Sequence, residues 1–357
     1  AMDTPVSSAN ASFVGEGVND HAGIVAGGGD VDGDGYDDFL IGAYFNSEVD
    51  EIAGQVYLIR GRPTGWEMGV SLADADASFR GADEGAQAAT AALDGDIDCD
   101  GYDDLLIHSY SNEYGPTRGM VSIFLGGPSL WTNDMPMSAA AGAVWGDISY
   151  VAQGPTTLAA GGDVDGDGCD EILVGSPFDP PMGPWSGRTD LVAGASSGWV
   201  DDQFLSSQTV ILEGEATLDE LGFSLDFIGD LDGDGHADQV VGARKNDDAG
   251  EAAGKVYVLL GTTDAHTGQP TAILAASFLG EQPGDWAGDA VSSAGDVDGD
   301  GLDDLLIGAY RNGEAFPEAG QVYLILSDSQ PGDDDDSAGD ADDTTSDDDD
   351  EDDSGGH

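Results

Sequence analysis

The chain has 357 residues, of which 72 are acidic and 9 basic, for a formal charge of −63. A surface this negative repels phosphate backbones and anionic lipid, so nucleic acid and membrane surfaces are excluded as partners and cations are favoured. Two cysteines, Cys99 and Cys169, are too few for a disulfide-stapled scaffold, and no run of about 18 apolar residues is present to span a membrane as a helix.

Residues 1–10 read as an N-terminal leader. The opening Ala1-Met2-Asp3-Thr4-Pro5 fits a processed or an engineered end and lacks a signal-peptide pattern. The first predicted strand is Ala11-Ser12-Phe13-Val14. An aspartate string, Asp30-Val31-Asp32-Gly33-Asp34-Gly35, comes next. The apolar run Phe39-Leu40-Ile41 and the segment Gln55–Ile59 follow it, and Ala77–Arg80 then repeats the first kind of strand.

This unit recurs along the chain. Aspartate strings begin at Asp30, Asp96, Asp163, Asp230 and Asp296, with spacings of 66, 67, 67 and 66 residues. Apolar runs follow the later strings at residues 105–107, 172–174, 239–241 and 305–307. Third segments follow at residues 120–124, 255–259 and Gln321–Ile325, with a degraded counterpart at Arg188–Val192. Fourth segments lie at residues 143–145, 210–212 and 276–279.

Short β-branched and aromatic runs between glycine turns predict strands, and four per repeat suit a propeller blade. The expected fold is all-β: a five-bladed β-propeller of four-stranded antiparallel blades over residues 11–329. The fifth repeat ends on its third segment, so the N-terminal strand at 11–14 is expected to close the last blade beside residues 321–326, leaving no free edge. An incomplete larger propeller is the alternative architecture.

Each string follows Asp-x-Asp-x-Asp-Gly-x-x-Asp. Calcium takes about six to eight oxygen ligands, and a tight loop can aim carboxylates at places one, three, five and nine, with a backbone carbonyl at seven. The expected ligands are Asp30, Asp32, Asp34, Tyr36 and Asp38 in loop one and Asp96, Asp98, Asp100, Tyr102 and Asp104 in loop two. Loop three offers Asp163, Asp165, Asp167, Cys169 and Glu171, and loop four Asp230, Asp232, Asp234, His236 and Asp238. Loop five offers Asp296, Asp298, Asp300, Leu302 and Asp304. That makes about five Ca2+ sites.

An EF-hand would need glutamate at place twelve, where loop one has Ile41 and loop five Ile307, and a strand rather than a helix follows. A solvated acidic turn without metal is the plainer reading, against which stands the repulsion among converging anions. Cys169 and His236 sit alone in their own loops, so no zinc site is expected. Cys99 and Cys169 fall on neighbouring blades, and the sequence leaves open whether they are bridged.

The five loops, Gly-Ala-Tyr at 42–44 and 308–310, Gly-Ser-Pro at 175–177 and Leu221-Gly222-Phe223-Ser224 carry a family resemblance. Over residues 11 to about 326 the chain resembles the FG-GAP repeat family, best known from the propellers of integrin α subunits. Family propellers often have seven blades where five are counted here, and His108-Ser109-Tyr110 departs from the glycine-alanine signature in repeat two.

Strand parity places the metal loops with the three-to-four connections. The opposite face collects Tyr44, Tyr110, Trp185, Trp286 and Tyr310, together with Tyr114 and several amides and carboxylates. Aromatics beside polar groups suit a glycan or protein ligand, though the same aromatics can plug gaps between blades. The expected function is therefore an extracellular binding or adhesion module, expected to be a monomer. A propeller-fold hydrolase and a mainly structural surface domain are the alternatives. No nucleophile elbow, Walker loop or HExxH motif is present, so no catalytic residue is assigned. Residues 330–357 form an acidic tail with no means of packing, expected to be disordered and extended by self-repulsion. It resembles the acidic spacers that precede sorting segments in bacterial surface proteins, which implies secretion or display on a bacterial surface.

Overall fold

The computed structural model describes residues 5–327, apart from 49, 112–117, 129–130, 147–156, 201–202, 264–269, 314–315 and 317. The acidic tail, Tyr114 and the first four residues lie outside the described set. Among the described residues the chain is all-β, and its helices are three-residue 3-10 turns.

The strands fall into consecutive antiparallel sheets that follow the sequence repeat. The first runs Ala22–Gly29, Asp38–Ala43, Gln55–Ile59, Ala77–Arg80 from its inner to its outer strand. The second is Thr90–Gly95, Asp104–Ser111, Arg118–Phe124, Gly142–Trp145. Thr157–Gly162, Glu171–Ser176, Arg188–Val192, Thr209–Glu213 make the third. The fourth is Leu221–Phe227, Gln239–Ala243, Lys255–Thr263, Pro270–Leu279. The last has three strands, Ala287–Gly295, Asp304–Ala309 and Gln321–Ile325. Arg188–Val192, which the sequence marked as degraded, is a full strand. Its buried Asp190 is paired with Arg188 two residues away on the same face, so the buried charge is compensated.

Alternation along each strand feeds two cores. Leu40, Val56 and Leu58 of the first sheet meet Leu105 and Ile107 of the second. Leu106, Val121 and Ile123 on the other face of the second meet Ile172 and Val174 of the third. Leu173 and Leu191 then meet Val241 and Tyr257, and Val240, Val256 and Val258 meet Leu305 and Ile307. Strands buried on both faces read as continuous apolar runs, which is why the sequence shows little polar alternation. The inner strands of all five sheets line one central cavity of about 390 Å3, through Val25, Ala92, Leu158, Leu225 and Ser292 among others. This arrangement is consistent with a β-propeller.

Glycine on the second strand sets how closely sheets approach. A Cβ on Gly42 would sit 2.2 Å from the Ala89 carbonyl oxygen, and one on Gly242 2.3 Å from that of Gly288. The second sheet has His108 at this place. It is buried, and burial pulls its pKa down to about 4, which keeps the imidazole neutral.

The N-terminal strand does not close the last sheet. Phe13–Val14 pairs in parallel with Val70–Ser71 of its own repeat. Among the described residues Gln321–Ile325 pairs only with Asp304–Ala309. Local bonds explain the choice. Ser12 donates its N–H to Glu67, accepts from Val70 at its carbonyl and accepts from Gly69 at Oγ. Phe13 packs edge-on against Phe39 at 5.6 Å. The faces that closure would cover stay open: Val25 is 73% exposed and Val322 69%. The strand nevertheless keeps its predicted type, because Ala77–Arg80 and Gly142–Trp145 take the same parallel partner, at Met135–Pro136 and Gln203–Phe204.

The contact at Gly42 gives a direct test of sheet packing. Gly42→Val should drive the first two sheets apart at a cost of about 1–3 kcal/mol, read as a lower urea midpoint. An unchanged midpoint would mean that the Ala89 backbone gives way freely.

Candidate metal centre

Each loop folds itself around its first aspartate. In loop one, Asp30 accepts the N–H groups of Asp34 at 3.0 Å and Gly35 at 2.8 Å, while Asp34 accepts that of Tyr36 at 3.0 Å. Loops two to five repeat these bonds about Asp96, Asp163, Asp230 and Asp296. The fifth-place carboxylates Asp100, Asp167, Asp234 and Asp300 likewise hold the N–H of Tyr102, Cys169, His236 and Leu302. The reversal needs left-handed backbone at places four and six, taken in loop one by Gly33 at φ 71° and Gly35 at φ 87°.

Carboxylate oxygens converge to within 4.8 Å in every loop. The trios are Asp30, Asp32, Asp38; Asp96, Asp98, Asp104; and Asp163, Asp165, Glu171 in loops one to three. Loops four and five bring together Asp230, Asp232, Asp234 and Asp296, Asp298, Asp300 instead. Asp34, Asp100 and Asp167 therefore fall outside the trio of their own loops, as do Asp238 and Asp304 of theirs. Oδ1 of Asp32 and Oδ1 of Asp98 are buried without a hydrogen-bond partner. A buried, unpaired anionic oxygen is costly, and a hard cation bound by oxygens is the partner that fits it.

The ninth-place carboxylate anchors the loop. Asp38 accepts from Val31 N–H at 3.2 Å and from Gly61 N–H at 2.7 Å. Gly61 lies just beyond the third strand, so the metal loop and the three-to-four connection do share one face. Burial raises the carboxyls of Asp38 and Asp238 to about 6, Asp104 to about 7 and Glu171 to about 8, against the backbone bonds that lower them.

Neighbouring loops are also tied together. Asp103, at place eight of loop two, accepts the Asp30 N–H at 2.6 Å, and Asp170 of loop three accepts the Asp96 N–H at 2.9 Å. Sequence reasoning passed over these residues. The Asp-Asp doublets at 37–38, 103–104 and 303–304 were the available signal. Cys99 and Cys169 form a disulfide between loops two and three, with Cα atoms 4.7 Å apart. Cys99 stands at place four with φ 59°, where the other loops use glycine. The bridge holds a side chain in a backbone region that ordinarily disfavours one.

The aromatic residues assigned to the opposite face do not form one cluster. Tyr44 packs on His21 and Phe45, Tyr110 on His108, and Trp185 on Phe178. Trp185 and Trp286 share the Lys245 ammonium, at 5.9 and 5.6 Å from their ring centres. Tyr310 is 66% exposed.

Sheets arranged about a common cavity, each with an acidic loop at the same place, define a repeat protein of propeller-like architecture with candidate metal loops. The chain carries the FG-GAP repeat in three places, residues 22–59, 154–184 and 287–325. It is 32% identical to integrin alpha-PS2 of Drosophila melanogaster over 159 residues, 43% of this chain and 11% of that protein. It is 30% identical to integrin alpha-IIb of Mus musculus over 151 residues, 42% of this chain and 14% of that protein. Phosphatidylinositol-glycan-specific phospholipase D of Bos taurus is 30% identical over 206 residues, 55% of this chain and 23% of that protein. The chain thus matches a small part of each relative's length.

The raised carboxyls set the sign of a pH effect. Each holds its proton more tightly in the folded chain than in the unfolded one, so the metal-free fold gains stability as pH falls through the folded values and loses it as pH rises. Metal competes with those protons. The gap in thermal midpoint between metal-loaded and metal-free protein should therefore narrow from pH 8 to pH 5. A gap that widens on acidification would rule out these carboxylates as the metal's partners.

Proposed function

We propose that this chain is an extracellular, calcium-stabilised binding or adhesion module, a five-bladed propeller that recognises a glycan or protein ligand on the face opposite its metal loops. The observation that carries the reading is a converging acid trio in each of the five loops, at places one, three and nine in the first three and one, three and five in the last two, with oxygens of Asp32 and Asp98 buried and unpaired. All-oxygen donors favour calcium, and extracellular calcium modules work at about 10⁻⁴ to 10⁻³ M. The Cys99–Cys169 bridge suits an oxidising compartment. Among the described residues no helix is long and apolar enough to cross a membrane. Relatives named as integrin alpha subunits support adhesion, and the lipase activity in the bovine relative's name stays with that protein.

Calcium here is structural. A metal that binds only the folded state at ten times its dissociation constant stabilises it by about 1.4 kcal/mol per site. Five such sites give roughly 7 kcal/mol, comparable to the net stability of an ordinary domain. Thermal unfolding at fixed ionic strength should show a large drop in midpoint on chelation, restored by calcium and poorly by magnesium, which prefers a smaller octahedral shell. Asp298→Ala should reduce that drop by one site's share. A midpoint indifferent to chelation would sink the reading.

A further inference from the structure

The nine basic residues of this chain are not spread evenly. Three of them, Arg244, Lys245 and Arg311, gather round the Trp286 ring, at 4.9, 5.6 and 4.4 Å from its centre. Their bonds differ. Glu220, itself 1% exposed, holds Arg244 at 2.7 Å and Lys245 at 2.6 Å, and Asp289 takes a second arm of Arg244 at 3.0 Å. Arg311 has a looser ion pair, with Glu318 at 3.6 Å, and both side chains are well exposed. Such a pair is screened by solvent and easily displaced.

The two tryptophans stand where the fold does not ask for them. The same backbone bond joins the two connections in three repeats: Gln87 N–H to Ile52, Glu220 N–H to Trp185, and Trp286 N–H to Ala252. All six residues have left-handed backbone, with φ between 50° and 58°. That conformation suits glycine or asparagine and disfavours bulky side chains. The repeat accepts Ile, Gln, Ala and Glu there, so neither turn nor packing requires indole. Trp185 is also 49% exposed. Core plugging does not account for a half-exposed ring at a backbone position that resists it.

We propose that the Trp185, Lys245, Trp286 and Arg311 patch binds an acidic saccharide, which rests on the binding-module reading above and names its ligand class. Sugar ring C–H groups stack on the indole faces, and the carboxylate displaces Glu318 to take the planar fork of Arg311. The chain's overall negative charge does not forbid this. At physiological salt, charges beyond about 8 Å are largely screened, so the local cations decide. An acidic peptide is less well matched, because a single displaceable fork over the Trp286 ring offers stacking surface rather than a row of charges or an open strand edge.

The test is calorimetry on the full chain in calcium and physiological salt. The probes are trigalacturonate against its methyl ester, sialyllactose against lactose, and a hexaglutamate peptide. At least one acidic saccharide should bind, with its neutral counterpart and Arg311→Ala each weakened tenfold or more. Trp286→Ala should abolish binding, with Trp185→Ala as a second variant should Trp286→Ala fail to fold. Thermal midpoints check folding throughout. The proposal is overturned if neither acidic saccharide binds, if hexaglutamate binds as well as they do, or if Arg311→Ala leaves affinity unchanged. A protein that loses stability on chelation yet ignores both saccharides keeps the module reading and loses this one.

Discussion

A carboxylate buried at the ninth place of every loop holds two backbone N–H groups at once, and the rest of the structure hangs on it. Asp104 takes Ile97 and Gly126, Glu171 takes Val164 and Gly194, Asp238 takes Leu231 and Gly261, and Asp304 takes Val297 and Ser327. One N–H belongs to the loop and the other to the connection after the third strand. A single side chain thereby fixes the loop against its own sheet. The N–H pair compensates part of the cost of burial, yet burial first and neighbouring aspartates second keep the carboxyls of Asp38 and Asp104 raised. A bound cation would offset both the repulsion and the remaining desolvation cost. The longer arm of Glu171 reaches Val164 at 2.7 Å and Gly194 at 3.2 Å, so glutamate serves the same clamp in loop three.

The loops also set the spacing between sheets. Asp103 and Asp170 reach back to the first residue of the preceding loop, and the disulfide adds a covalent tie between loops two and three. At the next boundary Ala237 keeps only the backbone half of the bond, its N–H donating to the Asp163 carbonyl at 2.9 Å. At the last boundary the Asp303 carboxylate lies beside Gly229, so close that a Cβ there would collide with it. Order at one loop is thus felt in the next sheet through bonds between the acidic loops rather than through the apolar core alone.

Much of this was legible in the sequence because the repeat is strict. The aspartate spacing gave the loops, and the apolar runs after them gave the second strands. The third strand at Arg188–Val192 forms where the repeat places it, and its pattern is degraded because Asp190 breaks it, a residue whose burial depends on Arg188 lying on the same face of the strand. The fate of residues 11–14 was misread. Strand type is written in the sequence, but the choice between Val70–Ser71 and Gln321–Ile325 is made by Ser12 hydrogen bonds and by Phe13 packing on Phe39. Those contacts have no periodic signature. The disulfide lay between the two: Cys99 in a glycine place was visible as an oddity, whereas its 4.7 Å Cα approach to Cys169 needed the sheets placed side by side.

The scarcity of positive charge explains how the two faces divide their work. On the loop face the described cationic side chains include Arg60, 3.6 Å from Asp32, and Arg62, which lies over the Trp66 ring, and most of the counter-charge has to come from bound metal under the reading proposed above. The opposite face has no aspartate loops, and there fixed side chains supply the charge. Lys255 is held by Glu215 at 2.9 Å and Asp248 at 2.7 Å, while Glu220 pins Arg244 and Lys245. Arginine and lysine cannot be chelated away, so this face keeps its electrostatics when the loops are empty. What it would lose without metal, under that reading, is position. The second strands run from the loop face to the opposite face, ending at Ala243 and Ala309 just before Arg244 and Arg311, and a loosened loop loosens the far end of the same strand. Under the proposed reading, metal at one end of each sheet would act on recognition at the other by holding strands in register, with no contact to the ligand itself.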